Sequence, residues 1–92
     1  MIIKTSKGKN IECDSVVQGQ QFSGSIHIHT HSITPIEAYQ IFGNPDETET
    51  LVAVQEGEEP RTFKGFTDIY SVQKSPFYAQ NPNEILIWLN RP

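Results

Sequence analysis

The stretch FSGSIHIHTHSITPIEAYQIFG, residues 22–43, decides the fold. Its first half alternates. Ile26, Ile28 and Thr30 fall on one side of an extended chain, and Ser25, His27, His29 and His31 on the other. Successive side chains of a strand point to opposite faces, so this period of two predicts a strand over 22–31. The second half changes character. Thr34-Pro35-Ile36-Glu37 offers a hydroxyl at the N-cap, a proline at the first helical position and a carboxylate at the third. The hydroxyl can accept the Glu37 amide while the Glu37 carboxylate reaches back to the Thr34 amide. The spacing predicts a helix through Ala38, Tyr39, Gln40, Ile41 and Phe42, stopped at Gly43 with Pro45 beyond. Ile36, Tyr39 and Phe42, at intervals of three, are expected to form its docking face. A helix of about eight residues is unstable alone, so that face must pack on a sheet.

Strands are expected on both sides of this pair. Ile2–Thr5 and Asn10–Val17 read as an N-terminal hairpin, with Gly8 free to take positive φ in the turn. Residues 44–48 read as a polar loop, and Thr50–Gln55 as a strand. The acidic loop Glu56–Pro60 then leads into a long strand over Arg61–Gln73. There Phe66, Tyr70 and Val72 share parity, Thr67 and Ile69 take the other face, and Gly65 marks a bulge or sharp bend. Residues 74–83 contain Pro76 and Pro82 and read as a loop. Ile85–Leu89, a continuous apolar run with Trp88, reads as the most buried strand. The expected fold is strand-dominated α+β. About six mostly antiparallel strands form a small sandwich or barrel, with one short helix between the third and fourth.

A chain of 92 residues fits a single domain over 1–92 and leaves no room for a second core. An aromatic share of 10% argues against disorder. The net charge of -4 and the scatter of lysines and arginines remove the basic stripe that a nucleic-acid partner requires. Lys4, Lys7 and Lys9 cluster around Gly8, as expected of a solvated hairpin tip. The lone Cys13 excludes an internal disulfide and reads as a half-buried strand residue. No run approaches the roughly 18–20 apolar residues of a membrane span, and MIIKTSKGKN lacks the apolar core of a signal peptide. The expectation is a soluble protein in the cytoplasm where it is made.

The chemistry-bearing residues are few. His27, His29 and His31 are the chain's three histidines and occupy alternate positions of one strand. Neighbours in such a row stand about 6.6 Å apart and the outer pair about 13 Å, whereas zinc takes imidazole nitrogens at about 2.0–2.1 Å. Two of them can converge on a divalent metal; a third ligand must come from elsewhere, with Glu12, Asp14 and Asp68 as candidates, or from other chains around a threefold axis. A pH-sensitive interface is a second use of the row, and a plain polar strand face a third. Phe77-Tyr78, in a proline-flanked loop, are the aromatics expected to be exposed and to touch a partner. The three carboxylates Glu56, Glu58 and Glu59 read as a solvated turn. No hydrolase or phosphate-loop motif is present, so no catalytic residue is assigned and no enzyme is expected.

Several short segments resemble a known group. They are the Lys- and Gly-containing hairpin Ile3–Cys13, the helix TPIEAYQIF at 34–42, and the Pro-Asp-Glu-Thr element at 45–48. The FKGFT segment at 63–67 and the apolar last strand at 85–89 complete the pattern. The layout is similar to small, mostly uncharacterised proteins encoded near the tail genes of tailed phages that infect Gram-positive bacteria. That resemblance implies a phage structural or accessory protein, made in the host cytoplasm and either incorporated in the virion or not. Its partners would be itself, as a homo-oligomer, or another phage or host protein. Two rival readings stand beside it: a small acidic inhibitor of a host defence protein, and a metal-binding protein using His27, His29 and His31.

Overall fold

The capping box at Thr34 forms as the sequence requires. In the computed structural model, which describes residues 1–18, 24–75 and 82–92, the first helix, α1, spans Pro35–Phe42. The Glu37 amide donates to Thr34 Oγ1 at 3.2 Å, and the Thr34 amide donates to Glu37 Oε1 at 3.0 Å. The docking face differs from expectation. Ile36 is 71% exposed and Tyr39 51% exposed, while Ala38 and Phe42 are fully buried. The helix therefore docks through an i, i+4 pair with Ile41 beside it, and the Ile36–Tyr39 side faces outward. The small Ala38 lets the helix approach closely enough to seat Phe42 in the core.

Eight strands are present among the described residues, not six, and a second helix joins the first. The strands are β1 (Ile2–Lys4), β2 (Asn10–Glu12), β3 (Ser15–Gln18), β4 (Ser25–Thr30), β5 (Thr50–Val54), β6 (Arg61–Lys64), β7 (Asp68–Lys74) and β8 (Ile85–Asn90). They form two four-stranded sheets, ordered β2-β1-β5-β6 and β3-β4-β8-β7, with every pairing antiparallel. The result is a strand-dominated α+β sandwich and not a closed barrel. The second helix, α2 (Pro45–Thr48), occupies the stretch expected to be a polar loop. Asn44 caps it, its Oδ1 accepting the Asp46 amide at 3.1 Å, and Pro45 starts it.

The extra strands arise where two expected strands each cross between sheets. The stretch 10–17 divides into β2 in the first sheet and β3 in the second, with Cys13-Asp14 at the crossing. At that corner the Cys13 amide donates to the Met1 carbonyl and the Asp14 amide to the His29 carbonyl, so consecutive amides serve different sheets. The stretch 61–73 divides in the same way into β6 and β7. Gly65 makes that turn at φ +82°, which L side chains rarely adopt, and its amide donates to the Glu49 carbonyl at 3.0 Å. The expected bend at Gly65 is thus present, and it carries the chain from one layer to the other.

One apolar cluster fills the space between the layers. Ile3, Ile11, Leu51 and Phe63 enter from the first sheet, and Val16, Ile26, Ile28, Ile87 and Leu89 from the second. Phe42 and Phe66 close it. Polar ties cross the same gap. Thr30 Oγ1 donates to the Glu12 carbonyl at 2.7 Å, and Arg61 reaches the Val16 carbonyl at 3.2 Å. No helix among the described residues is long and apolar enough to cross a membrane.

Candidate functional site: the outer face of the second sheet

The alternation of β4 holds as read. Ile26, Ile28 and Thr30 are fully buried toward the core, and His27 and His29 lie on the opposite, outer face. The three histidines then part company. Strand register sets His27 directly opposite Trp88 of β8, and their ring centroids lie 4.4 Å apart at 53°. Burial, and secondarily the neighbouring His29, hold the His27 pKa below its ordinary 6.5. His29 is buried. Its Nδ1 lies 3.1 Å from Ser75 Oγ, and Ser75 donates its own proton to Glu84. His31, just past the strand, pairs through Nδ1 with Asp14 at 2.8 Å. That hydrogen bond, then the Asp14 charge, raises the His31 pKa above 6.5. The row thus serves three partners from three parts of the chain. Among the described residues no group of three or more His, Cys, Asp or Glu could hold a metal ion. Phe77 and Tyr78 lie outside the described residues.

The His29–Ser75–Glu84 group contains the residue types of a hydrolase but not their order. Ser75 lies between the imidazole and the carboxylate, and it is fully buried. A nucleophilic serine needs an exposed oxygen and a histidine whose far nitrogen is oriented by the carboxylate. Here the serine bridges the other two. Ser75 Oγ donates to Glu84 and lies 3.1 Å from His29 Nδ1. The Ser75 amide also donates to the Glu84 carbonyl, so the group ties the base of the β7–β8 connection to β4. Beside it a cleft of about 390 Å³ opens between the start of α1 and this connection, lined by His31, Thr34, Glu37, Lys74 and Glu84 among others.

The sequence reading did not single out the residues that surround His27. Tyr70 was expected to share parity with Val72. The register shifts between Ile69 and Ser71, however, leaving Tyr70 as an extra residue opposite Trp88. Bulges re-aim side chains in this way. Ile69 and Val72 still pack against the core, while Tyr70 turns outward, 65% exposed, with its ring centroid 5.0 Å from Trp88. On the other flank the register places Val17 of β3, 49% exposed, opposite His27. Val17, His27, Trp88 and Tyr70 therefore form one row across all four strands of the sheet. Trp88 Nε1 is satisfied within the face by Asn90 Oδ1 at 2.8 Å. A bulge has no marker in composition, so no residue pattern pointed to an outward Tyr70.

Charge separates the two outer faces. The outer face of the first sheet carries Lys4, Glu12 and Lys64, which alternate with the buried Ile3, Ile11 and Phe63. On the second sheet the acidic side chains of the outer face among the described residues lie toward its ends, Asp68 opposite Asn90 and the buried Glu84 against Ser75 and His29. Aromatic enrichment with charge depletion is the composition of an interface core. The sheet edges are less inviting. β2 and β3 are short, β6 ends in Arg61 and Lys64, and β7 is bulged between Asp68 and Lys74. These features discourage strand addition. No family model matches this chain, and neither curated proteins nor solved structures contain a match to it.

Proposed function

We propose that this chain is a phage structural or accessory protein that works by protein–protein contact and not by catalysis. The carrying observation is the Val17–His27–Trp88–Tyr70 row on the outer face of the second sheet. Tyr and Trp bury large area for little lost rotamer freedom, which makes exposed pairs of them common anchors of binding energy. The buried state of Ser75 supports the non-catalytic half of the reading. The phage half rests on the resemblance of the segments at 3–13, 34–42, 45–48, 63–67 and 85–89.

The experiment is mass spectrometry of purified particles from a phage that encodes the chain, with wild type and Tyr70→Ser compared. Tyr70 is largely exposed, so its loss should leave folding intact. Wild-type protein in or on particles, with the variant depleted, is expected. Absence from particles, together with failure to bind any other particle protein, would overturn the proposal.

A further inference from the structure

We draw no further inference here: the strongest candidate, the Val17–His27–Trp88–Tyr70 row on the outer face of the second sheet, belongs to the site already described, and nothing in the structure shows what covers it.

Discussion

Lys9 Nζ lies 2.7 Å from Glu47 Oε2, and the Glu47 side chain is almost wholly buried while that of Lys9 is half exposed. The second carboxylate oxygen accepts from Thr5 Oγ1 at 2.9 Å, and the Glu47 carbonyl accepts the Ser6 amide. One acidic residue of α2 thereby fastens the first hairpin to the middle of the chain. The Lys9 hydrogen bond, with help from Thr5, holds the Glu47 pKa below its ordinary 4.5 despite burial. Glu47→Gln keeps the shape and loses the charge. It should cost about 2 kcal/mol in urea unfolding at neutral pH. Because folding lowers this pKa, the stabilisation is complete above the unfolded value and drains away as pH falls through the folded one. The gap between variant and wild type should therefore close in acid.

The capping box makes a smaller prediction. Thr34→Ala removes the acceptor of the Glu37 amide and should destabilise the fold by about 1 kcal/mol, read from the urea midpoint with an unchanged slope.

Gly65→Ala tests the turn between sheets. A Cβ at this position would meet nothing closer than Arg91 side-chain atoms at 4.0 Å, so the penalty is one of backbone conformation and not of crowding. At φ +82° it should amount to about 1–2 kcal/mol in the same assay.

The histidines should titrate in a fixed order by NMR, with His27 below 6.5 and His31 above it. Asp14→Asn should lower the His31 pKa and leave His27 in place. The two act oppositely on stability. Folding lowers the His27 pKa, so its contribution is lost as pH falls through 6.5 toward the folded value. Folding raises that of His31, so its contribution is present below 6.5 and lost as pH rises through the folded value. Equal titration of both rings would contradict the separate environments.

Burial pushes the Cys13 thiol up to about 11. At pH 8 about one molecule in a thousand is then thiolate, and thiol-reactive dyes should label the native protein far more slowly than the unfolded one.

What the sequence disclosed was local. The α1 boundaries, its capping box, the Gly8 turn and the two faces of β4 all follow from residues a few positions apart. What it concealed depended on distant partners. The buried apolar positions of 10–17 change parity between Cys13 and Val16, where the chain changes sheets, but Val17 beside Val16 leaves either parity open in the sequence and hides the shift. Ile36 and Tyr39 fit a docking face as well as Ala38 does, and only the space beneath α1 chooses between them. The bulge that turns Tyr70 outward exists because β8 sets the register of β7. The histidine row was visible as a row. Its division into three environments was not, because Trp88, Ser75 and Asp14 come from other parts of the chain.

Trp88 is the chain's single tryptophan and lies in the middle of the proposed contact face, so a fluorine label on its ring reports on that face alone. The most direct measurement is the fluorine NMR signal of 5-fluorotryptophan-labelled protein titrated with the proteins of purified particles, repeated with Tyr70→Ser. The expected result is a signal that shifts or broadens in the wild type and stays in place in the variant, as the face is covered in one and left open in the other. An unchanged signal in both, on protein that the particles nonetheless retain, would place the contact on another surface.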